Sequence, residues 1–414
     1  MSKKNETSTK MEKVEILTEE IIYIKEINNQ QDKRIKELIK KNEEKDNKIK
    51  ILKNKYNELK DINNKYINKE IKYRNEINLI YNTKKERNYD IFGKKFIEKN
   101  KENIKLYING KENDLINECL LKEGDNEIKM IIINNITDFE YMFYNCNTLK
   151  NIDELKYLNT KDCNNFSYMF HNCSSLSDIK ALENWNVSNS YSFKSMFYGC
   201  ASLLDAKALE KWNVSNSFSF SYMFMGCCRL SDVKGLENWN VSNSESFYNM
   251  FFECQKISNI NALKKWKVSK SVYFEGMFNG CSSLSDVQGL ENWDVSNNTS
   301  FRSMFMNCRK LSDIKALENW NVSKGEDFDN MFYGCSSLSD IKALEKWDVS
   351  NNKSFQCMFY GCSSIKDIKA LENWDVSNNK RFKSMFYGCS SLKDIKVLKK
   401  WNLSKTNFKN MFDE

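Results

Sequence analysis

Residues 328–350 read Phe-Asp-Asn-Met-Phe-Tyr-Gly-Cys-Ser-Ser-Leu-Ser-Asp-Ile-Lys-Ala-Leu-Glu-Lys-Trp-Asp-Val-Ser, and nearly the same phrase recurs every 27 residues. The Met-Phe pair begins at Met142, Met169, Met196, Met223, Met250, Met277, Met304, Met331, Met358 and Met385, and again at Met411, one residue early. A cysteine follows each of the first ten methionines by four residues, from Cys146 to Cys389. A tryptophan follows by sixteen from Trp185 to Trp401, and Leu158 takes its place in the first copy. A fixed period of roughly 20–50 residues is the mark of a solenoid, in which each unit buries its apolar face only against its neighbours.

Positions are counted here from each Met. Apolar residues at −3, 0, +1 and +4 would share one face of a short helix. Position −4 holds helix-starting residues such as Asp138, Asn165, Ser192 and Ser300, and +3 holds Gly or Asn, which end helices in a left-handed conformation. Glu253 is the copy that departs from that rule. Leu176, Ile179 and Leu182 then follow at three-residue spacing, and Trp185 and Val187 alternate as in a strand. Either Asp-Ile-Lys or Trp-Asn-Val could supply the strand that pairs between units. The expected fold is an α+β repeat solenoid, leucine-rich-repeat-like with a 27-residue period, over residues 137–414 in about ten and a half units. The last half unit ends at Met411-Phe412-Asp413-Glu414 without a distinct cap, so a folded-back half helix or an end-to-end contact is expected there.

Upstream, residues 1–13 are polar and read as disordered, and residues 14–87 read as an α-helical coiled coil. Its a positions run Val14, Ile21, Asn28, Ile35, Asn42, Ile49, Tyr56, Asn63, Glu70 and Ile77. Its d positions run Leu17, Ile24, Gln31, Leu38, Lys45, Leu52, Leu59, Tyr66, Tyr73 and Ile80. β-Branched residues at a with Leu at d favour a parallel homodimer through residues 14–80, with Asn setting register. Residues 88–136 break the heptad. Ile104–Ile108 before Asn109-Gly110 reads as a strand entering a tight turn, and Ile128–Ile133 as another strand. Leu115, Ile116, Leu120 and Leu121 suggest a short helix or further strand between them. This segment is expected to be a small mixed α/β cap on the first unit, since a solenoid must cover its end.

Phe-x-x-Met-Phe-x-Gly-Cys-Ser-Ser-Leu followed by Trp-Asn/Asp-Val-Ser-Asn resembles the BspA-like leucine-rich-repeat proteins, a group that includes a mycoplasmal repeat family of unknown function. The likeness covers residues 139–414 and not the coiled coil. It implies a leucine-rich-repeat solenoid used for binding, often as an adhesin at microbial surfaces.

The chemistry offered by the residues is sparse. No catalytic constellation, phosphate-binding glycine loop or mixed metal-ligand set is read, so no enzyme activity, cofactor, metal or small-molecule substrate is expected. One buried cysteine per unit is a ladder of equivalent sites rather than a disulfide framework. Reduced thiols, and a polar N-terminus without a signal-peptide core, point to a cytoplasmic location, with the cell surface by a non-classical route as the alternative. No apolar run is long enough to span a membrane. Residues 1–87 carry 23 basic and 16 acidic side chains, and the remainder 41 and 40. The basic rod makes nucleic-acid binding a distant third reading. Asn186, Asn213, Asn240 and Asn321 match a glycosylation acceptor, yet Asp294, Asp348, Asp375 and Lys267 replace them in other copies, which favours a turn or cap role.

Two candidate binding surfaces remain. On a helix, position +2 would point outward: Tyr144, His171, Tyr198, Met225, Phe252, Met306, Tyr333, Tyr360 and Tyr387 form an aromatic and Met stripe, with Asn279 as the exception. Positions +9 and +11 form a charged face: Asp178 and Lys180, Asp232 and Lys234, Asp313 and Lys315, Asp340 and Lys342, Asp367 and Lys369. If the intervening triplet is a strand, the two charges form parallel ladders. The expected function is a non-enzymatic protein–protein interaction scaffold on a coiled-coil stalk, the alternative being a BspA-like surface adhesin.

Overall fold

The computed structural model describes residues 30–33, 55, 73–401 and 403–413. The chain divides into two units, 1–72 and 73–414. Residues 30–33 and 55 are helical, and the rest of the expected coiled coil up to residue 72 lies outside the described residues. The second unit contains all the repeats.

It begins with strand β1 (Glu76–Thr83). Tyr73, Ile77 and Ile80, expected at heptad positions, are not helical: Ile77, Leu79, Tyr81 and Thr83 alternate inward along a strand. The run Ile-Asn-Leu-Ile-Tyr satisfies both periods, and pairing decides between them. β1 lies between β6 (Gly124–Ile132) and β7 (Leu149–Asn151), antiparallel to both. The five-stranded sheet is completed by β3 (Ile104–Ile108) and β4 (Lys111–Asn113), in the order β4-β3-β6-β1-β7. Asn109 and Gly110 both take positive φ, 48° and 83°, as the mirror-image hairpin turn requires. β2 (Arg87–Asp90) pairs with β5 (Glu118–Leu121), which resolves the segment around Leu120 as strand. Helix α1 (Lys94–Asn100) follows β2 and was not foreseen.

The repeats contain no α-helix from Phe139 to Trp401. The expected helix over each Met-Phe is instead a chain of overlapping turns, because two residues per unit take positive φ. One is at −1 (Tyr141, Tyr168, Ser195) and one at +3 (Asn145, Asn172, Gly199). Amides at alternate positions close local turns, as from Met142 to Phe139 O and from Tyr144 to Tyr141 O. The amides between them reach the next unit, as from Tyr141 to Ser167 O and from Phe143 to Met169 O. A six-residue helix would leave most of its end groups unbonded and is marginal by itself. The turn chain satisfies alternate amides across units, so stacking wins. The apolar pattern at −3, 0, +1 and +4 is the same for both structures.

Two further expectations change for the same reason. Position −4 caps no helix. Asp138, Asn165, Ser192, Ser219, Ser246 and Tyr273 pair successively as parallel bridges, while the side chains of Asp138 and Asn165 accept from the amide two residues on. Asp-Ile-Lys is not a strand either. The Asp at +9 accepts from the amide of Lys at +11, at 2.6–2.9 Å, and a short 3-10 helix begins there, as at Lys180–Leu182 and Lys342–Leu344; Asp286 accepts from Gln288 at 3.1 Å with no such helix. The 3-10 turn, with three residues per turn, brings Ile179 and Leu182 to the same side, and the Leu182 amide donates to Ile179 O; Leu176 precedes it in non-helical backbone. The Asn or Asp at +17 caps a turn in the same way, as Asn186 does for Ser188.

The core is a set of parallel ladders. Phe at +1 stacks from Phe143 to Phe386 with ring centroids 5.4–5.8 Å apart. Each such aromatic pair adds roughly 0.5–1.5 kcal/mol beyond its buried area. The N-terminal sheet joins this core directly. Phe92 stacks on Phe143 at 5.7 Å, continuing the ladder, and the Gly93 amide donates to Met142 O. At the other end, helix α2 (Lys405–Asn410) is followed by a buried Met411, and Phe412 stacks on Phe386 at 5.8 Å.

Candidate functional site

From the second unit onward, the Trp and Cys ladder residues have a structural partner in the unit before them. The Trp indole N–H donates to a Leu carbonyl, as Trp293 to Leu263 O at 3.1 Å and Trp320 to Leu290 O at 2.9 Å. The thiol at +4 donates to the Phe carbonyl, as Cys173 to Phe143 O and Cys308 to Phe278 O, both 3.1 Å. All ten ladder cysteines are buried and free, and so is Cys163. Cys119, Cys228 and Cys357 are half-buried. Burial pushes the thiols up, Cys163 and Cys389 to about 12, which removes thiolate character. A maleimide probe is therefore expected to label at most the three half-buried cysteines of the native protein, and all fourteen after unfolding without reductant, counted by intact mass. Missing thiols in the unfolded sample would contradict the ladder of free cysteines.

The stripe at +2 is half-buried, with its ring faces turned onto one another. Tyr144 stacks on His171 at 4.6 Å and His171 on Tyr198 at 4.3 Å. Tyr333, Tyr360 and Tyr387 stack at 4.5 and 5.0 Å. Met225, Phe252 and Met306 continue the column, and Asn279 interrupts it. The faces are used in stacking, so the edges and hydroxyls are what the column offers outward.

This column is one part of a wider face. Tyr141 at −1 touches Tyr144 at 5.3 Å and stacks on Tyr168 at 4.7 Å. Tyr222 at −1 meets Tyr248 at −2 edge-on at 5.1 Å. Positions −2 and −4 of adjacent units also meet, as in the hydroxyl contact of Ser167 with Ser192 at 2.9 Å. At −5, Tyr191 and Phe218 are 41% and 46% exposed and stack on each other at 5.7 Å, and Tyr273 at −4 is 51% exposed. Positions −5, −4, −2, −1 and +2 thus line one side of the stack, exposed where large residues such as Tyr191, Phe218 and Tyr273 stand and buried where small ones such as Ser167, Ser192 and Ser195 do.

The charged ladder is elsewhere in each unit. Asp178, Asp232, Asp313, Asp340 and Asp367 are exposed, but each has one oxygen committed to its own turn. Lys180, Lys234, Lys315, Lys342 and Lys369 remain exposed beside them. A shallow groove of about 450 Å³ lies between two such turns, lined by Asp313, Lys315, Asp340 and Lys342 among others. Capping accounts for the Asp at this position without a ligand. Among the described residues, no group of three His, Cys, Asp or Glu side chains could hold a metal ion, and no helix is long and apolar enough to cross a membrane.

Residues 117–233, 219–342 and 312–414 match the family described as Mycoplasma protein of unknown function, DUF285. The chain belongs to this family. The match covers well over half of the sequence and includes the mycoplasmal repeat family that the Met-Phe and Trp motifs resemble. No curated protein matches the chain. Among solved structures, a leucine rich cell surface protein from Faecalibacterium prausnitzii is 15% identical, spans 67% of this chain and 80% of its own, and superposes with a TM-score of 0.26. A superposition that loose supports nothing about function.

Within these DUF285 repeats, sequence reasoning singled out column +2 and missed −5, −4, −2 and −1. A helix would have turned those positions differently. The available signal was composition: Tyr191, Phe218, Tyr248 and Tyr273 are aromatics where other copies are polar. His171 shows what the stack does to a titratable ring. Its Nδ1 is buried without a hydrogen-bond partner among the described residues, and burial lowers its pKa to about 4. The unfolded chain takes up this proton near pH 6.5 and the folded chain does not. Stability is therefore expected to be unaffected by His171 above that pH, to fall between about 6.5 and 4, and to level off below. An NMR titration of the single histidine checks this, and an ordinary midpoint near 6.5 would contradict the stacked placement.

Proposed function

We propose that this chain is a non-enzymatic protein-binding scaffold that presents the outer face of its repeats to a partner, carried on a coiled-coil stalk that pairs two copies through residues 14–72, the part of the heptad that precedes the sheet. The observation that carries the reading is the stacked, exposed pair Tyr191 and Phe218. Other copies place Glu245, Thr299, Glu326, Lys353 and Lys380 at the same position, so the fold does not require an aromatic there. Exposed large aromatics that packing does not demand are the residues that dominate protein interfaces. The nine residues of the +2 stripe and the charged ladder from Asp178 to Lys369 have smaller parts in this reading.

Substituting Phe218, Tyr222 and Tyr248 by serine should abolish capture of partner proteins from a cell extract while leaving the unfolding midpoint within a few degrees of the parent. Unchanged capture would overturn the reading. Sedimentation of the full chain tests the stalk, for which a monomer is the contrary result. Surface display as a BspA-like adhesin is the second reading, favoured by the repeat motif itself. Protease treatment of intact cells separates it from a cytoplasmic scaffold.

A further inference from the structure

The outer face is not uniform along the stack. Its units of Met223, Met250 and Met277 bring together Phe218, Tyr222, Glu245, Tyr248, Tyr273 and Glu275. Tyr222 meets Tyr248 at 5.1 Å, and backbone bonds set Glu245 beside Phe218 and Glu275 beside Asn249, the residue after Tyr248. Among the described residues, no cation forms an ion pair with Glu245 or Glu275, although inter-unit pairs such as Lys211–Glu183 and Lys265–Glu237 are frequent elsewhere on the stack. Aromatic rings and unpaired carboxylates therefore share one patch, in which Phe218, Glu245 and Tyr273 are exposed and Tyr222, Tyr248 and Glu275 half-buried.

The same chain shows what such a combination accepts. At the first unit, positions −4, −2 and −1 are Asp138, Glu140 and Tyr141. Helix α1 covers them with two lysines four residues apart. Lys95 Nζ lies 4.5 Å from the centre of the Tyr141 ring, and Lys99 Nζ is 2.9 Å from Asp138 and 3.1 Å from Glu140. A cation over the ring face and a charge-assisted bond to carboxylate reinforce one another.

Resting on the protein-binding reading above, we propose that the patch of Glu245, Tyr248, Tyr273 and Glu275 binds a lysine- or arginine-bearing segment of a partner protein, through the two kinds of contact that Lys95 and Lys99 make on the first unit, cation on ring and cation on carboxylate, at different positions of the repeat. Charge complementarity selects this occupant, since an acidic segment would face two unpaired carboxylates. Phe218 and Tyr222 supply the adjoining apolar contact.

The test uses the full-length protein and two fluorescent peptides, one alternating lysine with leucine and one alternating glutamate with leucine. The chain as a whole carries +8, so non-specific attraction works against the lysine peptide and any binding must be local. The lysine peptide should bind, weaken with added salt, and lose about tenfold or more in affinity with Glu245→Gln and Glu275→Gln together. The same charge change placed elsewhere, Glu210→Gln with Glu345→Gln, should leave binding unchanged. Glu245→Lys with Glu275→Lys should bind the glutamate peptide instead, and this reversal also shows that the variant is folded. Binding of the lysine peptide that is absent, or indifferent to Glu245 and Glu275, overturns the proposal. If the serine variants still abolish partner capture in that event, the scaffold reading stands and only the partner's chemistry is wrong.

Discussion

Trp293→Ala is expected to destabilise the full-length protein by about 3–5 kcal/mol, the usual range for deleting a buried large aromatic. Trp293 is 4% exposed, stacks on Trp266 at 6.2 Å and packs against Phe274 at 5.4 Å. Its indole N–H also satisfies the carbonyl of Leu263 in the preceding unit, so alanine leaves a cavity and a buried acceptor without its donor. In a solenoid each unit is held mainly by its neighbours, and the damage should reach the flanking units. Hydrogen exchange should accelerate first at residues of the units of Met250 and Met277, with the distal units affected less. Urea unfolding measures the total. A loss below about 0.5 kcal/mol, the scale of an ordinary surface change, would contradict the interior placement of the tryptophan ladder.

Gly93→Ala is expected to be nearly as damaging, for a reason of space. Gly93 has φ −71°, which any residue can adopt. A Cβ there, however, would lie 2.0 Å from the carbonyl oxygen of Tyr141 and 2.9 Å from Tyr144 Cβ. The oxygen belongs to backbone that is itself bonded into the stack, so the segment from Ile91 to Gly93 must lift instead. Lifting it breaks the Gly93–Met142 hydrogen bond and the Phe92–Phe143 stack, and withdraws Lys99 from Asp138 and Glu140. Overpacking of this kind costs roughly 1–3 kcal/mol, sometimes more. The expected signature is a thermal transition that divides in two, the sheet of β1, β3, β4 and β6 melting before the repeats. A single, unshifted transition would show that the joint bears little of the stability.

Legibility of the sequence varied by element, for identifiable reasons. The hairpin around Asn109-Gly110 was readable because its turn residues have one favoured geometry. β1 was not, since Ile77, Leu79, Ile80 and Tyr81 suit a coil or a strand equally, and its partners β6 and β7 are about 50 and 70 residues away. The turn chain over Met-Phe was misread as a helix because both bury −3, 0, +1 and +4. The positive φ at −1 had no consistent marker, Tyr, Ser, Asn, Gly and Cys all occurring there. Of the outer face, the +2 column was visible from its spacing, whereas Tyr191, Phe218, Tyr248 and Tyr273 could be grouped only once the backbone was known.

The sequence by itself determined the period, the stack, the membership of the DUF285 family, and which side chains form the Phe, Cys and Trp ladders, because periodic burial is written in residue type at fixed spacing. Tertiary structure decided the local backbone and the composition of the outer face. Alternate amides in each turn chain bond to the next unit rather than along the chain. No window of one unit's sequence contains the partner that makes its conformation the favourable one.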